Sequence, residues 1–332
     1  VMDTRSAEAD LYIASPDEIV FAQNMTSHTF ALSRALATTW TEGDEIVLTR
    51  MDHDANVAPW LRAAEDRDVT VRWVDFENYV FAPDAFDRVI GSRTRLVAVT
   101  AASNALGTVT DIPAISRQVR QTDALLFVDA VHAAPHRLID VKAWDVDFLV
   151  SSAYKFYGPH IGILYGKAEH LESLPAYKVR PAPEHGPGRW ENGTQSFETL
   201  AGVTAAVDYL ASLGEGSSRR EQLAAAYDAI GSHEARLGDR FLAGLAEFDH
   251  VQLFGVEEGD RTSTFSIGVD GLDDVALVNL LAEQGIYATH GSYYAVEVMK
   301  SLGQEGLVRI GFVHYNTLDE VDAVLSALDD LG

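Results

Sequence analysis

Residues 124–166, ALLFVDAVHAAPHRLIDVKAWDVDFLVSSAYKFYGPHIGILYG, contain three apolar, β-rich runs at 124–131, 147–153 and 161–166. Runs that stay apolar at successive positions belong to strands buried on both faces, as in a parallel sheet covered by helices. Four more precede them: EIVFAQ (18–23), EIVLT (45–49), VTVRWVDF (69–76) and RLVAVTAA (95–102). Amphipathic stretches such as TFALSRALATTW (29–40) and NVAPWLRAAEDR (56–67) lie between them. This alternation predicts an α/β fold, a mostly parallel seven-stranded sheet with helices on both faces. Next come a Pro/Gly-rich loop, RPAPEHGPGRWENGT (180–194), and a helical run over roughly 196–247. The remainder reads as a small C-terminal α+β domain. Its strands are VQLFGV (251–256), TSTFSIGV (262–269) and LVRIGFVHY (307–315), and its helices span 273–285 and 317–332. The expected division is a large domain over 1–205, with an interdomain helix and small domain over 206–332.

The composition narrows the function. The chain has 332 residues, 47% of them hydrophobic, with a formal net charge of −25 and a pI near 4.6. The acids are spread along the whole chain, so they read as a solubilising surface that repels nucleic acid and anionic membranes. No apolar stretch is long enough to span a bilayer, and the polar start VMDTRSAEAD is not a signal peptide. There is no cysteine, which excludes disulfides, thiolate metal sites and a cysteine nucleophile. A cytoplasmic location is the expectation.

Open parallel sheets bind ligands at the carboxyl ends of their strands. The residues that leave those ends are therefore the candidates. They are Thr26 and Ser27 after the first strand, His53 and Asn56 after the second, and Ser103 and Asn104 after the fourth. Asp129 and His132 follow the fifth strand, and Ser152, Tyr154 and Lys155 the sixth. Each has a bland alternative. Thr26 and Ser27 could cap a helix, Asp129 could form a turn, and Lys155 could lay its stem across the aromatics. Asp-His-Asp at 52–54 could be a surface cluster, since three adjacent loop residues rarely chelate one ion. His132 and His136 have a zinc-like spacing, but Pro135 opposes a regular helix there; no metal is expected.

Together the residues meet the needs of pyridoxal phosphate. That cofactor needs a lysine amine able to lose its proton, and Lys155 is one of only five lysines in the chain, in a setting that promises partial desolvation. A buried carboxylate, Asp129, would keep the pyridine nitrogen protonated. His53 would stack on the ring, and Asn104 or His132 would donate to its phenolic oxygen. Thr26, Ser27 and Ser152 would hold the phosphate at a helix N-terminus.

At these residues the chain resembles the class V aminotransferase family of fold-type-I pyridoxal phosphate enzymes, and within it the cysteine desulfurase-like branch. The strings that carry the resemblance are DHDANVAPW, SNALGTVTDI, the stretch from Val128 to Gly166, WENGTQ and VRIGFVHYNTLDEVD. The resemblance implies that Lys155 forms the imine, Asp129 pairs with the pyridine nitrogen and His53 stacks. It further implies that Thr194 reaches the phosphate of a partner subunit in a homodimer with shared sites, and that Arg309 clamps the substrate α-carboxylate.

Three departures accompany it. Tyr294, in YATHGSYYAVE (287–297), stands about where the desulfurases carry the cysteine that takes sulfur as a persulfide. Tyr154 replaces the histidine usual before the lysine; its phenol can still exchange a proton, at a higher pKa. Several dozen N-terminal residues usual in the family have no counterpart here. The expectation is a pyridoxal phosphate enzyme acting on an amino acid, with Lys155 as the α-proton base. β-Elimination of the carbon–sulfur lyase type leads, ahead of transamination or epimerisation; a non-catalytic binding or regulatory protein is the contrasting class. Loops 180–192 and 287–297 would set side-chain specificity.

Overall fold

The computed structural model describes all 332 residues. In chain order the first part contains α1 (Met2–Tyr12), β1 (Ile19–Ala22), α2 (Met25–Ala37), β2 (Glu45–Thr49), α3 (Ala58–Glu65), β3 (Thr70–Val74) and β4 (Thr94–Thr100). It continues with α4 (Ile112–Val119), β5 (Leu125–Asp129), α5 (Val141–Trp144), β6 (Phe148–Ser152), β7 (Gly162–Gly166) and α6 (Ala168–Ser173). The seven strands form one sheet in the order β1-β7-β6-β5-β4-β2-β3. β7 runs antiparallel to both of its neighbours, while β6, β5, β4, β2 and β3 are mutually parallel.

Six of the seven runs work as expected, while the run at 69–76 forms β3, an edge strand that is largely exposed. Successive residues of a strand point to opposite faces, and on the other strands both faces are covered. On β5, Leu126 and Val128 enter one core with residues of α1 and α4, while Phe127 enters the other with α2 and α3. Each such fully buried side chain contributes about 1.5–3 kcal/mol relative to exposure.

The helical stretch read over 196–247 is two helices, α7 (Phe197–Ala211) and α8 (Arg219–Leu245). The chain breaks between them at Gly214, where a Cβ would run into the backbone of α8. α8 spans both halves of the molecule. Leu223, Tyr227 and Ile230 lie in the core of the large sheet, whereas Leu237, Phe241 and Leu245 lie in a separate core. That second core lies in a small domain made of β8 (Val251–Phe254), β9 (Thr264–Val269), α9 (Asp274–Glu283), β10 (Thr289–Gly291), α10 (Val296–Leu302), β11 (Leu307–Gly311) and α11 (Leu318–Asp329); β9, α9, β11 and α11 supply most of its side chains, and those of α10 pack elsewhere. Its sheet is antiparallel, ordered β10-β11-β9-β8. Short, polar β10 carries no apolar alternation, so periodicity alone misses it. α11 opens on a capping box between Thr317 and Glu320.

A fourth apolar cluster joins the halves next to the strand ends: Met51, Ala105 and Leu106 pack with Ala295, Val298, Met299 and Leu307. It holds the 292–295 loop of the small domain over the carboxyl ends of β2 and β4. At the other end of the sheet, β7 passes so close to the start of α2 that a Cβ on Gly162 would lie 2.6 Å from Asn24 Cα.

Gly162→Ala should therefore destabilise the fold by about 1–3 kcal/mol through backbone overlap, read as a lower urea midpoint with an unchanged m-value. The same substitution displaces Asn24, which caps α2, so it should also weaken anion binding at that helix terminus.

Candidate active site

Parallel register brings the strand ends level: Thr100 of β4 lies beside Asp129 of β5, and Asp129 beside Val150 of β6. Past Ser152 the chain turns through a short 3-10 turn, Ala153–Lys155, pinned by Ala153 N–H donating to Ile161 O at 2.8 Å. This places Lys155 at the tip. The other four lysines, Lys142, Lys167, Lys178 and Lys300, each pair with a carboxylate. Lys155 has no such partner; its Nζ lies 5.8 Å from the centre of the Tyr154 ring. The residue is exposed, more than its aromatic setting suggests. Enough protein still surrounds the amine to lower its pKa, first by burial and then by the Arg309 cation, against the opposing pull of Asp129.

Asp129 is 3% exposed. One carboxylate oxygen accepts the Val131 N–H at 2.9 Å, and the other accepts no hydrogen bond from the protein. Burial raises its pKa to about 6, moderated by that hydrogen bond and by Lys155. A buried anion with a free oxygen is suited to a cationic N–H.

Behind Asp129 lies a carboxyl that sequence reasoning passed over. Asp52 is 1% exposed, accepts from the Thr49 hydroxyl and from Asn56 Nδ2 (2.6 Å), and sits close enough to feel the charge of Asp129. Asn56 in turn accepts from Trp60 Nε1 at 3.0 Å. The Asp-His-Asp string is thus neither a metal cluster nor a solvated face: Asp52 turns into the core, and His53 caps a short turn. The local signal was there, since Asp52, Asn56 and Trp60 recur at intervals of four.

His53 Nδ1 accepts the Ala55 N–H at 3.0 Å, which puts the ring proton on Nε2. Burial, with Lys155 and Arg309 nearby, lowers its pKa to about 4. The ring is therefore neutral and flat at physiological pH. Tyr294 stacks on it at 5.5 Å between centroids and 29° between planes. His132 also stays neutral, its pKa lowered by burial, His136, Arg309 and Lys155. Its Nε2 lies 3.2 Å from Thr262 Oγ1. His136, its supposed partner in a zinc pair, is committed to a buried pair with Glu234 at 2.7 Å. Tyr154 is covered by His160, ring stacked on ring at 4.7 Å.

At the start of α2, Asn24 Oδ1 accepts both the N–H and the hydroxyl of Ser27, so Ser27 is spent on capping. Ser152 Oγ accepts the Met25 N–H at 3.0 Å, which leaves its own proton to donate. The Thr26 N–H has no protein acceptor, and the Thr26 hydroxyl meets only Met25 Sδ, at 3.5 Å. Of the three expected phosphate ligands, Thr26 and Ser152 hold free donors at a helix N-terminus. Thr194 does not join this group in its own chain: it projects from an exposed loop whose base, Glu191, is fixed by Arg5 and the Phe21 N–H.

Arg309 comes from β11 in the small domain. It has no carboxylate partner. It donates to the Asn104 carbonyl at 2.7 Å, and its guanidinium carbon lies 4.2 Å from the centre of the Tyr293 ring. Asn104 spends one amide N–H on the Tyr293 carbonyl (2.9 Å), leaving the second free. No local signal marks Tyr293.

These residues fit pyridoxal phosphate by an observation independent of motif. An unpaired amine, a buried carboxylate with one vacant oxygen, a neutral flat imidazole and free N–H and O–H donors at a helix terminus are the complements of its aldehyde, ring nitrogen, ring face and phosphate.

Comparison with known proteins agrees. The profile of the family described as Aminotransferase class-V matches residues 1–324. The chain is 34% identical over 344 residues to the aminotransferase-like protein FGM3 of Gibberella zeae, covering 99% of this chain and 82% of that protein. It is 32% identical over 333 residues to a probable cysteine desulfurase of Pseudomonas putida, covering 96% and 79%. A solved cysteine desulfurase from Thermococcus onnurineus superposes with a TM-score of 0.91 at 26% identity, over 99% of this chain and 83% of that one.

Asp52 offers a test of the site's electrostatics. Burial pushes its pKa from the ordinary 3.8 to about 8. Across that window the folded protein holds a proton that the unfolded chain has released, so this group makes stability fall as pH rises. Asp52→Asn stays neutral throughout. Urea unfolding should show the variant gaining stability relative to the parent protein between about pH 5 and about pH 8; a pH-independent difference would mean that Asp52 is charged in the fold.

Proposed function

The chain belongs to the class V aminotransferase family and is a pyridoxal phosphate-dependent enzyme; from that premise we propose that it cleaves a β-substituent from a free amino acid, in the manner of a carbon–sulfur lyase. The observation that carries this reading is the pair of unpartnered cations in one crevice, Lys155 and Arg309, with Asp129 behind the first. Bound pyridoxal phosphate supplies an electron sink that makes the substrate's α-proton acidic.

The chain's own residues supply the rest. Thr26 and Ser152 would hold the phosphate with their free donors. Asp129 would keep the ring nitrogen protonated, on which the electron sink depends. His53, held neutral, would stack on the ring, and Asn104 and His132 would donate to its phenolic oxygen. Arg309 takes the substrate carboxylate bidentately, which orients the Cα–H bond toward Lys155. Lys155, its pKa lowered by burial and by Arg309, takes the proton from Cα. Tyr154 and Tyr294 are the phenols at hand to protonate a leaving group. No cysteine is present to receive sulfur as a persulfide, so a sulfur-bearing fragment would leave directly into solvent.

One observation favours epimerisation as a second reading. Tyr294 stacks on His53 and is 72% exposed, so its phenol could return a proton to Cα from a side other than that of Lys155.

We also infer a homodimer. Tyr177, Val179 and Phe197 are exposed apolar side chains on the segments flanking Thr194, as an interface that delivers Thr194 to a partner's phosphate would need. No helix is long and apolar enough to cross a membrane. Action in the cytoplasm rests on the acidic, cysteine-free composition.

Borohydride treatment of the loaded protein should fix the cofactor onto Lys155 and onto no other residue by peptide mass, and Lys155→Ala should lose the visible absorption band. An adduct elsewhere, or an unchanged band in the variant, overturns the lysine assignment. Incubation with a panel of amino acids should yield pyruvate with release of the β-substituent. Solvent deuterium entering Cα with inversion, without pyruvate, would favour epimerisation, and keto-acid formation that requires a second keto acid would favour transamination.

A further inference from the structure

We propose that Tyr293 is the positioning residue for Arg309, and that the 292–295 loop is a fixed wall of the substrate site. This deepens the reading above and rests on its assignment of Arg309 to the substrate carboxylate.

The observations come from three directions. First, Tyr293 and Tyr294 are consecutive non-glycine residues in the left-handed region, with φ of 53° and 55°. Bulky side chains rarely adopt that conformation, and they persist in it only where the surroundings over-determine it. Here they do. The Asp54 N–H donates to Tyr294 O at 2.7 Å, Asn104 Nδ2 to Tyr293 O at 2.9 Å, and Ala295 N–H to Ser292 O at 2.8 Å. Ala295 is fully buried against the apolar cluster behind the strand ends.

Second, the Tyr293 hydroxyl lies 2.6 Å from Thr289 O and 2.7 Å from Leu307 O, carbonyls on two adjacent strands. Its single proton serves one of them at a time, and either bond fixes the ring.

Third, that ring carries the Arg309 guanidinium at 4.2 Å, while the Asn104 carbonyl takes one N–H from it. A closed circuit results, running from Tyr293 ring to Arg309, to the Asn104 backbone, to the Asn104 amide and back to the Tyr293 carbonyl.

A guanidinium has five N–H donors in a rigid fork. The ring fixes the plane of that fork and Asn104 fixes its rotation within the plane, which leaves N–H groups free for a bidentate carboxylate. Arginine on its own loses rotamer freedom when it binds; here most of that ordering precedes the ligand. The second tyrosine, held by the same backbone turn, covers His53. One turn of chain thus sets both the carboxylate clamp and the wall beside the stacking imidazole, and substrate size is limited by a loop that does not withdraw.

The test compares L-alanine with ethylamine, its analogue without a carboxylate, as titrants of the visible band of the loaded enzyme. The parent protein should prefer L-alanine. Tyr293→Leu should cut that preference about tenfold by lost pre-organisation, with ethylamine affinity unchanged, and Tyr293→Phe, which keeps the ring, should restore most of it. In turnover the Leu variant should raise KM far more than it lowers kcat. Hydrogen exchange on the cofactor-free protein should show the Ala295 and Asp54 amides, which donate the backbone hydrogen bonds that hold the loop, slow in the parent and faster in Tyr293→Leu. If Arg309→Leu abolishes the preference while Tyr293→Leu keeps it, the positioning role is overturned and the carboxylate assignment stands. If Arg309→Leu also keeps it, the carboxylate assignment itself falls. Fast exchange at Ala295 and Asp54 in the parent protein would overturn the fixed wall.

Discussion

The site depends on a buried carboxylate that the protein leaves half satisfied. Asp129 ends a strand in the middle of a seven-stranded sheet, is almost wholly removed from water, and has one oxygen without a partner. Burying such a group costs stability unless a donor arrives. The neighbouring Asp52 carboxyl is kept protonated by its own burial, so Asp129 is the group that carries charge there. A cationic N–H placed at the free oxygen would offset the cost of burying it, which is why we assign Asp129 to the ring nitrogen of the cofactor. Lys155 lies near enough to sense this charge yet makes no ion pair with it, and so remains available for chemistry.

Charge is allocated with the same economy elsewhere in the crevice. Both histidines are kept neutral, by burial and by the two cations, so neither competes for an anion. The cations, Lys155 and Arg309, are left without carboxylates in a protein whose acids greatly outnumber its bases. Among the five lysines only Lys155 lacks a carboxylate, and it shares its crevice with an arginine that also has none. The start of α2 follows the same pattern: Asn24 satisfies Ser27, and the donors of Thr26 and Ser152 stay free.

Much of this was legible in the amino-acid order. Doubly apolar runs marked the strands of the large sheet, and the polar residue after each run marked the crevice, because a parallel sheet exposes all its carboxyl ends on one edge. Elements without that periodicity were not legible. β10 is three residues long and mostly exposed, and the break between α7 and α8 depends on Gly214 lying against the backbone of the first two turns of α8. Local chemistry left one choice open: Ser27 could hold phosphate or belong to the helix cap, and in the fold its N–H and hydroxyl both go to Asn24, the capping residue.

What the sequence alone determined is the inventory and order of the strand-end groups, since each is joined to its strand by a few residues and a strand's exit is a local property. What only the tertiary structure decided is which of those groups are consumed by neighbours and which stay free. Asn104 and Tyr293 are 189 residues apart, and Arg309 and Asn104 are 205 apart. No periodicity connects such positions. They meet because α8 runs through both cores and the apolar cluster at Met51, Leu106 and Ala295 presses the small domain onto the sheet edge, and burial of that surface is a property of the packed chain alone.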